Sequence, residues 1–208
     1  EIAMYLEEHN RSRQSTERKI VQHACELVEK NKWASDSRRA MVVASDSWHA
    51  GVIGIAAARL VERYHRPVVL IAIQNDEGQG SARSIASFDL ARALASCDEH
   101  LISHGGHAMA AGVRVTADNV DEFRDAFLDV ANRELTAADL TPSLRLDGVV
   151  QVKELGLGET QEILSLGPFG VGNPRPRLAT DWVELAAEPR CVGANQEVGN
   201  QPIPARWA

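Results

Sequence analysis

Residues 40–73 read AMVVASDSWHAGVIGIAAARLVERYHRPVVLIAI, and this stretch decides the fold class. Ala40–Ser45 is a short apolar run that ends at Asp46, as a buried strand would. Val52–Tyr64 changes period: Ile53, Ala56, Ala57, Leu60, Val61 and Tyr64 recur at helical spacing. Pro67 then opens Val68–Ile73, which is apolar on both faces, the pattern of a central parallel strand. Strand, helix and strand make a right-handed crossover unit. The polar loop Asp46–Gly51 falls after a strand and before a helix, where α/β folds place ligand contacts.

Working outward, Gly78–Ile85 reads as a loop leading into a further strand. Asp89–Leu101 has helical spacing, with Leu90, Ala93, Leu94, Cys97 and Leu101 on one face. His104-Gly105-Gly106-His107 interrupts that pattern. Ala108–Ala111 favours a short helix ended by Gly112, and Val113–Val115 a strand. Asp118–Leu135 is a further amphipathic helix with Asp118 as its N-cap. Upstream, Glu1–Asn31 contains neither Gly nor Pro and reads as one long helix. Ile2, Leu6, Ile20, Ala24, Leu27 and Val28 fit a single buried stripe, while Asn10–Ser15 is polar all round, as in a helix that bridges two domains.

A boundary falls near Thr136–Ser143. Beyond it Leu144–Leu155 reads as a strand, Glu159–Leu166 as a short helix, Pro168–Pro174 as a rigid loop and Leu178–Leu185 as another strand. The tail from Ala194 has no clear period. The expected organisation is a connector helix over 1–35, an α/β domain over 36–140 and a partial β-rich domain over 143–208. The α/β domain is expected to hold a small mixed or parallel sheet with flanking helices.

The chain has 208 residues and a formal net charge of −7. That total argues against a protein that coats nucleic acid by bulk charge. The excess is uneven, however. Residues 116–150 hold 3 basic and 8 acidic groups, whereas residues 41–115 hold 6 and 7 and are nearly neutral. Three widely spaced cysteines, Cys25, Cys97 and Cys191, make no metal or disulfide pattern and fit a reducing cytoplasm. No apolar run reaches membrane-spanning length. The first residue is Glu1, so an internal piece of a longer protein is expected.

Three segments carry chemistry. Gly105 and Gly106 suit a concave nest of backbone N–H groups, which attracts anions, and a helix start after them would add its own. His107 would then donate to a phosphate oxygen or act as an acid. In Gly80-Ser81-Ala82-Arg83-Ser84, the Arg83 guanidinium suits bidentate phosphate binding, with Ser81 and Ser84 adding hydroxyls. In Ser47–Gly54, Trp48 could stack on a base or sugar and His49 could meet a phosphate. Each segment also suits a bland role: a glycine turn with a surface histidine, a solvated arginine, a core tryptophan. Gly51 and Gly54 fit close helix–sheet packing better than binding. His100, His104 and His107 would share a helix face as zinc ligands, but Gly105 and Gly106 break that helix.

Taken together, Ser47–Ala56, Arg59–Pro67, Gly80–Ile85, Phe88–Leu90 and Gly105–Gly112 resemble the bacterial RecJ family of the DHH phosphoesterases, and within it the DHH-associated domain. The helix with Asn10, Arg11, Arg13 and Gln14 is similar to the family's connector. Leu166–Pro176 is similar to the opening of its OB-type domain. The resemblance implies a 5′-3′ exonuclease acting on single-stranded DNA in repair and recombination. Two divalent metals, Mn2+ or Mg2+, would be held by a DHH domain whose Asp-His-His triplet does not occur here, so this chain would bind no metal itself. Gly105, Gly106, His107, Arg83, Ser81, Ser84, Trp48 and His49 would form the substrate site, with His107 the candidate for chemistry. A single-strand-binding protein and a helicase are implied partners, and a cytoplasmic monomer the implied state. The family usually has an aromatic residue where His104 stands. Competing readings are a DHH phosphoesterase for short oligonucleotides or cyclic dinucleotides, and a non-catalytic nucleic-acid-binding module.

Overall fold

The computed structural model describes residues 2–184, which divide into two compact units, the first ending at Pro142 and the second beginning at Ser143. The first unit is built on helix α1 (Ile2–Lys30), strand β1 (Met41–Ser45), helix α2 (Ile53–Tyr64), and strands β2 (Val68–Gln74) and β3 (Glu77–Arg83). Helix α3 (Leu90–Ala95), strands β4 (Ser103–Gly106) and β5 (Ala110–Thr116), and helix α4 (Val120–Glu134) complete it. The strands form one mixed sheet in the order β1-β2-β3-β5-β4. β1 and β2 run parallel, joined through α2, and the β2–β3, β3–β5 and β4–β5 pairs are antiparallel.

Alternation along β1 and β2 divides their side chains between two apolar layers. Met41, Val43, Val68, Leu70 and Ala72 pack with Ile20, Ala24 and Val28 of α1 and with Ile53, Ala56, Ala57 and Leu60 of α2. Val42, Val69 and Ile71 point the other way, onto Leu90, Ala93 and Leu94 of α3 and Val120, Phe123 and Phe127 of α4. Phe88 meets Phe127 edge-on at a centroid distance of 5.8 Å. β2 is therefore buried on both faces, but it is parallel only to β1.

Stops and caps are local. His65 takes a left-handed φ of 47° and its N–H returns to Val61 O at 2.8 Å, ending α2. The buried Arg66 beside it donates to Ser35 O at 3.0 Å, to Tyr64 O at 3.3 Å and to Arg38 O. Asp89 caps α3 through Arg92 N at 3.2 Å. Arg39 closes the last turn of α4, donating to Asn132 O at 2.8 Å and to Leu135 O.

Several sequence expectations are corrected. Only the C-terminal half of α1 packs, and Ile2 and Leu6 are exposed. The helix expected over Asp89–Leu101 ends at Ala95, and a separate 3-10 turn follows at Asp98–His100. Asp118 caps nothing; it lies in a 3-10 turn, and Asn119 precedes α4 without a side-chain cap.

Two larger corrections shape the site. Glu77–Arg83 is a strand, not a loop. Its glycines hid it, since glycine weakens a strand and carries no apolar alternation. A Cβ on Gly80 would lie 2.4 Å from Val113 Cγ2, and one on Gly78 would lie 2.6 Å from Ile71 Cγ2. Neighbouring β-branched side chains occupy that space instead. Second, no helix follows His107. Ala110–Thr116 is strand β5, and its pairing with both β3 and β4 overrides the helix propensity of the Ala-Met-Ala-Ala run.

In the second unit, β6 (Gly148–Val149) pairs in parallel with β7 (Leu178–Ala179), and helix α5 spans Leu157–Ser165. Among the described residues, the longer strands expected over 144–155 and 178–185 shrink to these two-residue pieces. Within Pro168–Pro174, Asn173 donates its side-chain N–H to Leu166 O and Pro168 O, both at 3.0 Å, which closes the loop. The tail expected to lack periodicity lies outside the described residues.

Candidate nucleic-acid interface

On the α1/α2 side, burial stops at β3. Glu77 and Gln79 are exposed, Ser81 and Arg83 are half-buried, and Ala110, Gly112, Arg114 and Thr116 of β5 are exposed on the same face. Register makes them neighbours: Gln79 pairs with Arg114, Ser81 with Gly112 and Arg83 with Ala110. Gly105 of β4 pairs with Gly112 and extends the face to the sheet edge. Half of the sheet thus presents an open side lined by small residues and two arginines.

Arg83 sits where this open side meets α2. Its Nη1 donates to Ser81 Oγ at 3.0 Å and to Ala82 O at 2.8 Å. A Cβ on Gly54 would lie 2.9 Å from Ser81 Oγ and 3.0 Å from Arg83 Nη2, so the absence of a side chain there admits the guanidinium. Gly54 is in the first turn of α2, which has no side-chain cap. A guanidinium beside an uncapped helix start is a combined setting for an anion: fixed N–H donors, the positive dipole end and a tethered cation.

His107 is exposed at the tip of the β4–β5 hairpin. Its N–H donates to Ala110 O at 2.8 Å, and Ala110 pairs with Arg83, so the three residues form one cross-strand row. Two strand spacings of about 4.8 Å separate the Arg83 and His107 backbones by about 10 Å, near enough for both side chains to meet one phosphate. The tip is strapped down from the other side. Ser84 N–H donates to Met109 O at 3.1 Å, and Leu90 N–H to Ala108 O at 3.0 Å. Gly106, at φ 146°, makes the turn possible; a Cβ there would lie 2.5 Å from Ala110 O. The expected nest at the start of a helix is therefore replaced by a hairpin tip, and the helix start near this site is that of α2.

His49 is exposed in the loop before α2. Its Nδ1 accepts Gly51 N–H at 3.1 Å, which leaves Nε2 to carry the donor proton. Two expected site residues belong elsewhere. Trp48 is 3% exposed, and its Nε1–H donates to His23 Nδ1 at 3.1 Å. Its ring fills the layer between α1 and α2 and offers no face for stacking. Ser84 is buried and its hydroxyl donates to Phe88 O at 2.7 Å, which removes it from phosphate contact. Gln79 and Arg114 went unnoticed in the sequence. The signal was alternation from Arg83 back through Ser81, which only a strand would have supplied.

His104 points away from the open side, half-buried, with its Nε2 3.2 Å from Asp98 Oδ1. Among the described residues no group of three or more His, Cys, Asp or Glu side chains converges for a metal ion.

An open sheet side with an arginine held against a helix start, opposite a glycine-histidine hairpin, belongs to an α/β domain, and residues 38–133 match the family model of the DHHA1 domain. The chain as a whole is similar to part of the RecJ exonucleases. It is 35% identical over 198 residues to the single-stranded-DNA-specific exonuclease RecJ of Bacillus subtilis, and 37% identical over 183 residues to that of Dickeya dadantii. Those alignments take in 94% and 84% of this chain but only 25% and 31% of the relatives' length. The crystal structure of RecJ with Mg2+ from Thermus thermophilus superposes with a TM-score of 0.70 at 28% identity, over 83% of this chain and 26% of that one. RecJ from the same organism has also been solved with Mn2+.

Proposed function

We propose that this chain is the strand-gripping part of a 5′-3′ exonuclease that hydrolyses phosphodiester bonds of single-stranded DNA in repair and recombination. The observation that carries the reading is the placing of Arg83 against the uncapped start of α2, in one row with His107, within the region that matches the DHHA1 domain. In this reading Arg83 binds a strand phosphate with two parallel hydrogen bonds, Ser81 orients the guanidinium, and Gly105 and Gly106 let the sugar-phosphate chain approach. His107 donates to a phosphate oxygen from the hairpin tip, and His49 donates from the α2 loop. Water activation by Mn2+ or Mg2+ is assigned to the part of the relatives that this chain does not span. The second unit, with its Leu166–Pro176 loop, is read as the opening of an OB-type domain. A cytoplasmic monomer working beside a single-strand-binding protein and a helicase completes the proposal.

The test is fluorescence anisotropy of a 5′-phosphorylated, 3′-labelled oligothymidylate with the whole chain. Arg83→Ala and His107→Ala should each weaken binding by roughly 10- to 100-fold, the range for a lost charge-assisted hydrogen bond. Trp48→Phe should leave affinity near wild type. Unchanged binding in both the Arg83 and His107 variants would refute the assignment, and hydrolysis of the oligonucleotide by the chain alone with Mn2+ would refute the division of labour.

A further inference from the structure

The open side continues past Arg83 into a second polar recess that the phosphate site leaves unused. A hollow of about 610 Å³ lies at the far end of β3, lined by Ala50, Gln74, Asn75, Glu77, Gln79 and Arg114. A shallower one of about 240 Å³ adjoins it beside Ser103, Gly105 and Gly112. Gln79 and Arg114 line both, so the two are one trough. Arg114 is the cation of this trough. Register seats it between Gln79 of β3 and Ser103 of β4, with an amide on one side and a hydroxyl on the other.

In this structure the Arg114 guanidinium donates to the Glu77 carboxylate. Both side chains are about half exposed, at 54% and 52%. An exposed pair of this kind holds weakly, so a competing anion displaces it at little cost. A carboxylate and a phosphate offer arginine the same two-oxygen geometry. Gln79 stands four residues from Arg83 on the same face, about 13 Å along the strand, which is longer than one nucleotide.

We infer that Arg114, with Gln79 and Ser103, is a second phosphate subsite for a nucleic-acid strand already held at Arg83, and that the Glu77 carboxylate occupies it until the strand arrives. The subsite rests on the single-strand-binding reading above. It takes a phosphate further along the same strand, so it acts on oligonucleotides and is silent toward a mononucleotide. Glu77 keeps the trough near neutral when empty, which disfavours stray anions.

The experiment measures binding of a 3′-labelled, 5′-phosphorylated twelve-residue oligothymidylate by the whole chain across a salt series, with thymidine 5′-monophosphate as competitor. Arg114→Gln should weaken oligonucleotide binding and lower the slope of log K against log salt by about 0.7, one single-strand phosphate contact. Glu77→Gln should tighten binding about twofold to fivefold, the range of an exposed pair released. Neither should alter the competition constant of the mononucleotide, whereas Arg83→Ala should weaken it. Equal thermal melting of the variants checks that the fold is retained. If Arg83→Ala weakens binding while Arg114→Gln leaves affinity and slope unchanged, the second subsite is wrong and the first stands. If neither matters, or the wild-type chain fails to bind at low salt, the reading and the subsite fall together.

Discussion

Replacing Gly106 with alanine separates backbone necessity from surface chemistry at the hairpin tip. Gly106 holds φ at 146°, a region that side chains rarely enter. Strain of that kind costs about 1–3 kcal/mol. The added methyl would also lie 2.5 Å from Ala110 O and 2.5 Å from Ala111 Cα. Both are backbone atoms of β5 and cannot rotate aside, so overpacking adds a further 1–3 kcal/mol or so. A total near 3 kcal/mol is a large share of a domain's stability of about 5–15 kcal/mol. At about 2–4 °C per kcal/mol for a chain of this size, Tm should fall by roughly 6–12 °C. Gly105 is the control, because a Cβ there meets nothing within 4 Å and would stand on the open side. Gly105→Ala should melt within about 2 °C of wild type, since alanine is at least as good a strand residue as glycine. It should nonetheless weaken oligonucleotide binding by obstructing the strand. Differential scanning fluorimetry with anisotropy on the same samples reads both effects. Gly106→Ala melting like wild type would refute the account of the turn, and Gly105→Ala binding like wild type would refute the placing of the strand.

Other outcomes follow from the core and from two perturbed groups. Phe127 is fully buried between Phe88 and Phe123, so Phe127→Ala should cost about 3–5 kcal/mol in urea unfolding. A loss below about 1 kcal/mol would mean that the α4 layer is not the core of the unit. The Asp139 carboxyl is held below its ordinary value, first by the Thr136 hydroxyl at 2.6 Å and then by the Thr136 N–H at 2.8 Å. Its contribution is therefore present above the ordinary carboxylate range near pH 4 and is lost as pH falls through the lowered value. Asp139→Asn should flatten the acid limb of a stability–pH curve; an unchanged limb would exclude this turn as a source. Burial pushes the Cys97 thiol up to about 11, so it should resist iodoacetamide at pH 8 until urea unfolds the domain. Labelling of Cys97 at the rate of a free thiol in native buffer would contradict its place in the core.

What the sequence determined by itself was the local and strongly periodic part. Residues 40–73 declared β1, α2 and β2 because apolar period changes from strand to helix and back within one short stretch. Long helices α1 and α4 were legible for the same reason. Arg83, Gly105, Gly106 and His107 stand out by type alone, as groups suited to phosphate, and they make up the proposed site. Tertiary structure decided where these groups stand. β3 is written Glu-Gly-Gln-Gly-Ser-Ala-Arg, and its core side is filled by Ile71, Val113 and Val115 from neighbouring strands rather than by its own side chains. Nothing within the segment reports that. The run after His107 has helix-forming residues, yet pairing with β3 and β4 makes it a strand. Trp48 looks like a stacking residue in a loop until α1, more than 20 positions away, supplies His23 for its N–H. Gln79 and Arg114 became neighbours only through register. Strand pairing and burial depend on residues far apart in the chain, so face, depth and partner follow from the closed sheet and not from any one segment read alone.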